Sequence, residues 1–335
     1  MRRLFTGIVV ANALLFASSA ATLGLGLADP DEKESVAAGP SDGGTAEPDL
    51  PTKGLAAADK AAGVTVLDAG AEPRRRLRFR PVAGTVTRLA LTTKLDLDIT
   101  VDGESAPTAP APTMRVVLEQ RVDAVDEDGL ADFTYFFAEV TATGGDLPPD
   151  ARQQFESLLD QLATVRGTGT IDPYGTTSDS NIDTTGVTDP MASQLLDSLS
   201  QQLDNLSPRL PRQAVGIGAR WSVDDTLRLV GLTNDLVTTF ELRSLEGDDI
   251  ELGVEVEGVV RPGPVDIPGV PEVLDVTVVT FTSRSTGTIA ADLTKVLPSR
   301  VDQRGTAEGE LELSDGLDTA TMEQRLRIKV TLAPA

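Results

Sequence analysis

Between Leu89 and Val101 the chain alternates apolar and polar residues for 13 positions. Leu89, Leu91, Leu95, Leu97, Ile99 and Val101 fall on one side, with Thr93 filling the single gap, and Ala90, Thr92, Lys94, Asp96, Asp98 and Thr100 on the other. Period two is the mark of a strand with one face buried. Such a strand is roughly 43 Å long at the usual rise, whereas typical strands have about 5–6 residues. Similar runs cover 114–122, 133–140, 236–245, 250–260, 273–282 and 322–332. Strands of this length must twist and coil, so a sheet built from them is expected to wrap around something. Asp126, Glu127, Asp128 and Gly129 separate two of the runs, and Glu246, Gly247, Asp248 and Asp249 separate two more. Both clusters carry the Gly and Asp that tight reversals need.

Two stretches depart from period two. After Asp150, a candidate cap, Phe155, Leu158, Leu159, Leu162 and Val165 recur at helical spacing on one face. Asp189 followed by Pro190 is a helix-start signal, and Leu195, Leu196, Leu199, Leu203 and Leu206 then line one side until Pro208 and Pro211. The expected fold class is therefore α+β: a large, curved antiparallel sheet, half-barrel-like, with two amphipathic helices on one face. A weak internal repeat suggests two similar halves. The hairpin at 114–140 is echoed at 236–260, and Gly167 to Ile171 (GTGTI) is echoed by Thr286 to Ile289 (TGTI).

The start of the chain sets the expected compartment. Arg2 and Arg3 precede an uncharged apolar run over 4–28, ended by Asp29 and Pro30. This is the layout of a signal peptide, and the run is also long enough to be retained as a membrane anchor. Small residues at Ser18, Ser19 and Ala20, and at Gly26 to Ala28, offer two cleavage sites. Residues 29–73 are read as an acidic linker; up to residue 56 they contain almost no large apolar residue and cannot offset their ordering entropy. Residues 74–335 are read as one β-rich domain. The predicted location is secreted or extracytoplasmic, in the cell envelope, with membrane contact only through the N-terminal segment if that segment is kept.

Composition removes several chemistries. The chain has 52 acidic residues against 29 Lys and Arg, for a net charge of −23. Nucleic acid needs a basic surface and anionic lipid headgroups attract basic segments, so neither is an expected partner of the domain. There is no His and no Cys, which excludes Ser-His-Asp and Cys-His catalysis, disulfides and the common zinc sites. No phosphate loop, dinucleotide fingerprint or nucleophile elbow is present. The chain is read as a non-enzyme without cofactors. Asp179, Asn181 and Asp183 place oxygen ligands at alternate positions, as hard cations prefer, but Gly186 and Pro190 break the calcium-loop pattern, so the stretch is read as a polar loop and no metal is expected. Aromatics are few. Phe133, Tyr135 and Phe137 share one strand face, and Trp221 is the sole tryptophan. Each is read first as core, with the aromatic trio alternatively a wall facing a ligand.

Leu77, Arg78, Phe79, Arg80 and Pro81 with Gly84, and the stretch from Val215 through Gly216, Ile217, Gly218, Ala219 and Arg220 to Trp221, resemble segments of uncharacterised exported actinobacterial proteins. The architecture of long curved strands with two helices resembles the half-barrel of LolA-type lipoprotein carriers and mycobacterial lipid-binding lipoproteins. That resemblance implies an apolar molecule held between sheet and helices. The lining would be Phe155, Leu158, Leu159, Leu162, Leu195, Leu196, Leu199 and Leu203, with Phe133, Tyr135 and Phe137 opposite. The chain lacks the lipidated cysteine of the mycobacterial group. The expected function is non-catalytic binding or carriage of a hydrophobic or lipid ligand; the alternative is a cell-surface structural or interaction module with a filled core.

Overall fold

The structure, a computed structural model, describes residues 63–106, 110–145, 153, 157, 159–185, 207–229, 232–265 and 274–335. Among the described residues fourteen strands form one antiparallel sheet: β1 (Val64–Asp68), β2 (Val86–Val101), β3 (Glu104–Ala106), β4 (Thr113–Val125), β5 (Ala131–Thr143), β6 (Arg166–Ile171), β7 (Thr177–Asp183), β8 (Arg220–Leu229), β9 (Leu232–Glu246), β10 (Asp249–Val260), β11 (Gly263–Val265), β12 (Asp275–Asp292), β13 (Arg300–Ser314) and β14 (Thr319–Pro334). The strand order is β1-β8-β9-β10-β12-β13-β14-β2-β4-β5-β6-β7, with β3 beside β2 and β11 beside β12. β1 lies inside the stretch read as linker, so the sheet reaches upstream to Val64.

The expected α+β class is corrected to all-β. Among the described residues 67% lie in strands and 3% in helix, with one short helix rather than two amphipathic ones. That helix includes residues 159–162; Leu159 and Leu162, with Val165 just after it, are buried in the main core. It ends before Arg166, where β6 begins. The second expected helix, 189–206, lies outside the described residues.

The sequence repeat maps onto a topological one. β2-β4-β5-β6-β7 is a meander of successive neighbours, and β8-β9-β10-β12-β13 is another. Gly167 to Ile171 lies on β6 beside β5, and Thr286 to Ile289 lies on β12 beside β10. β14 joins the meanders, pairing with β13 on one side and β2 on the other over most of its length.

Alternation along each strand puts the apolar set on one face. On β14 Met322, Leu326, Ile328, Val330 and Leu332 are buried, while Glu323, Arg325 and Arg327 are exposed. The outer face is laced with cross-strand ion pairs. Arg325 sits opposite Glu308 and binds it at 2.8 Å, Arg327 reaches Asp98 at 3.0 Å, and Arg284 pairs with Glu255.

The sheet rolls on itself at one end. There the turn between β6 and β7 meets the segment that leads into β8, although these strands lie near opposite ends of the strand order. The Leu210 N–H donates to the Tyr174 carbonyl at 2.8 Å, and Arg212 lies 3.7 Å from Asp172 and over the Tyr174 ring. Leu77 and Phe79 plug this closed end: the Phe79 N–H donates to Pro173 and the Arg80 N–H to Leu293, in the turn after β12.

Candidate functional site: the interior of the rolled sheet

The site residues expected from sequence divide into three groups. Phe133, Tyr135 and Phe137 share the inner face of β5, as expected, with ring centroids 6.3 and 6.4 Å apart along the ladder. Leu159 and Leu162 lie in the same core cluster. Phe155, Leu158, Leu195, Leu196, Leu199 and Leu203 lie outside the described residues.

The aromatic ladder sits over glycines. Tyr135 pairs directly with Gly167 on β6, and Phe133 pairs with Gly169. A Cβ on Gly169 would stand 2.7 Å from the Phe133 ring, and one on Gly167 would run into the Tyr135 ring. The same device recurs on the other meander, where Phe281 of β12 lies over its partner Gly309 of β13. The rings thus rest on the backbone of the next strand. The void that Phe133 and Tyr135 border, lined also by Leu118, Gln120, Thr177, Ser207, Val296 and Leu297, is about 10 Å³. That is room for one water, against about 300–1,000 Å³ for a drug-sized ligand pocket. The Ser207 hydroxyl donates across it to the Val296 carbonyl, tying the segment before β8 to the turn after β12. At this end the three aromatics serve as core.

Next to the closed end, Arg209 and Asp225 form an ion pair at 3.0 Å whose side chains are 6% and 3% exposed. Burial pulls the Arg209 guanidinium below its usual value, and the Asp225 charge opposes that pull. The Arg209 carbonyl accepts from the indole N–H of Trp221 at 2.9 Å, and Trp221 stacks on Phe240 with centroids 5.6 Å apart. This cluster locks the chain entering β8 against the sheet.

Away from the closed end the inner wall changes character. Leu91, Leu95, Leu97 and Val101 of β2, Met114 of β4 and Val140 and Ala142 of β5 are only half-buried, although they face the same way as the sealed residues. Register makes them neighbours: Leu91 is opposite Val116, which is opposite Val140, and Thr93 is opposite Met114, which is opposite Ala142. Sequence reasoning placed the β2 residues on the buried face but did not single them out. Their incomplete burial depends on how the sheet rolls, which no local pattern records.

Among the described residues no cluster of three or more acidic side chains is placed to hold a metal ion. Asp179, Asn181 and Asp183 lie exposed along the edge strand β7 rather than in a loop.

No protein-family model matches the chain, and no curated protein matches it. Among solved structures, the Salmonella typhi OmpF complex with daunomycin aligns with 73% of this chain and 98% of that chain at 10% identity, with a TM-score of 0.18, too low to carry any argument about fold or function.

Proposed function

We propose that this is an exported, non-catalytic envelope protein that binds an apolar molecule against the inner wall of β2, β4 and β5. The observation that carries the reading is the half-buried set Leu91, Leu95, Leu97, Val101, Met114 and Val140 on the interior face. Apolar surface left partly uncovered inside a fold costs roughly 25 cal/mol per Å² until something covers it, and a hydrocarbon chain would do so. The charged outer face supports water, rather than lipid, around the sheet, since a membrane barrel carries its apolar band outward. Among the described residues no helix is long and apolar enough to cross a membrane, and the N-terminal run from which export is inferred lies outside them.

A filled scaffold is the competing reading, favoured by the void of about 10 Å³ beside the aromatic ladder. One experiment separates the two. Delipidated protein is incubated with envelope lipid extract and examined by native mass spectrometry, alongside Leu95→Asp and Lys94→Asp. Carriage requires a retained apolar adduct in the parent and in Lys94→Asp, whose change faces out, and its loss in Leu95→Asp. A parent that never retains an adduct would leave the scaffold.

A further inference from the structure

Two amide side chains on the inner face are buried and have nothing to bond. Asn234 of β9 and Gln324 of β14 are each 3% exposed, and in both the amide nitrogen and the amide oxygen lack a hydrogen-bond partner. Two other interior polar side chains do find partners. Gln303 donates to the Ser285 hydroxyl at 2.6 Å, and Asp225 holds Arg209. A buried amide with no partner is unfavourable for the fold, and two of them on one surface call for an explanation.

Their placement supplies one. Gln324 stands between Gly309 and Ile99, its partners on β13 and β2, and Gly309 in turn faces Phe281. Asn234 faces Val260 on β10. Extending the pairing of Val259 with Thr282 by one residue sets Val260 beside Phe281. The two amides therefore share one transverse row, four strand spacings apart, about 19 Å along the sheet. Small residues in the row and its neighbour, Gly309, Gly258, Ser283 and Ala307, make room for larger side chains: Phe281 lies over Gly309, and a Cβ on Gly258 would stand 3.2 Å from the Asn234 amide oxygen. Gln324 also adjoins the half-buried wall, because Leu326 two residues on is opposite Leu97.

We infer that the two amides recognise the uncharged polar groups of an amphiphile, such as esters, amides or hydroxyls, whose hydrocarbon part lies on the wall of β2, β4 and β5. An amide offers both a donor and an acceptor but no net charge. It can satisfy an ester or hydroxyl, and it cannot offset the cost of burying a phosphate or carboxylate. This inference rests on the apolar-binding reading and adds the class of ligand.

The test uses the full chain and three probes of matched chain length: a diacylglycerol, a hydrocarbon and a phosphatidate. Each competes with a fluorescent apolar dye for the parent protein and for Gln324→Leu, Gln324→Met and Asn234→Leu. The parent should prefer diacylglycerol over both other probes by about tenfold, one good hydrogen-bonded contact. The variants should lose most of that preference, keep their affinity for the hydrocarbon, and melt at or above the parent temperature because an unsatisfied polar group is gone. Equal binding of diacylglycerol and hydrocarbon by the parent overturns the inference and leaves apolar binding standing. So does an unchanged preference in the variants, or variants that melt lower with preference intact, which would make the amides part of the fold. If no probe binds the parent, both readings fall.

Discussion

At the scale of single residues, the interior is decided by a few positions where size leaves no choice. Gly167 carries the Tyr135 ring directly over its backbone, so a methyl group there must displace the ring. Gly167→Ala should cost about 1–3 kcal/mol, the usual range for overpacking, read as a lower midpoint in chemical denaturation. The origin of the cost is checked by a double-mutant cycle: in a Tyr135→Ala background the same change should cost almost nothing, and an equal cost there would show that the ring is not the obstacle. The Arg209–Asp225 pair is a second such position. Breaking a buried pair by removing one partner leaves an uncompensated charge and typically costs about 3–5 kcal/mol, so Asp225→Ala should destabilise far more than any outer-face substitution. The sequence shows the alternation of Phe133 with Tyr135 and of Gly167 with Gly169, but not that one pair lies over the other. That follows from the β5–β6 register, and partners 32 and 36 residues apart leave no local trace.

Among the elements, those legible in the sequence were the ones whose inner faces are mostly large and apolar. β2 shows its pattern from Leu89 to Val101 with one gap at Thr93. β13 shows none in its centre, where the inward positions are Gln303, Gly305, Ala307 and Gly309, and only Val301, Leu311 and Leu313 are large. Period two depends on contrast, and a strand that makes room for neighbouring side chains has lost it. β7 fails for a different reason: it is an edge strand whose only large apolar residue is Ile182, so it reads as a polar loop. The helical stripe at 155–165 was real as a buried stripe at Leu159, Leu162 and Val165, yet a stripe does not measure helix length. On the outer face the ion pairs are exposed, and such pairs contribute about 0–1 kcal/mol each. Glu308→Ala, which removes the partner of Arg325, should therefore change the denaturation midpoint very little. The Arg261–Asp235 pair has a pH signature. The Arg261 guanidinium, bonded at 2.8 Å through both Nε and Nη2, holds the Asp235 carboxyl below its usual value. A carboxyl depressed on folding contributes stability above its unfolded pKa, roughly pH 4, and loses it as pH falls through the lower folded value. Arg261→Ala should remove that contribution at neutral pH and leave the stability at about pH 3 closer to that of the parent, a small and salt-sensitive difference in melting temperature.

For the whole molecule, the rolled sheet separates a closed end from a half-open wall, and the single tryptophan reports on only one of them. Trp221 is fully buried against Phe240, with its indole N–H bonded to Arg209 beside the closed end. The half-buried wall of β2, β4 and β5 belongs to the other meander, β2 is six steps from β8, the strand of Trp221, and Asn234 lies six residues along β9 from Phe240. An apolar ligand on that wall therefore has no reason to disturb the indole, whereas a ligand entering between the aromatic ladder and the segment at 207–210 must separate Ser207 from Val296 and shift Arg209 with it. Adding saturating hydrocarbon or diacylglycerol should raise the melting temperature while leaving the tryptophan emission maximum at its buried, blue position. A red shift on binding, with the fold intact by circular dichroism, would place the ligand at the closed end. It would also return Phe133, Tyr135 and Phe137 to the role of a binding wall. Binding with an unmoved maximum in the parent, lost in Leu95→Asp without loss of fold, would locate the ligand on β2. The closed end would then serve to hold the two meanders in the curve that gives the wall its shape.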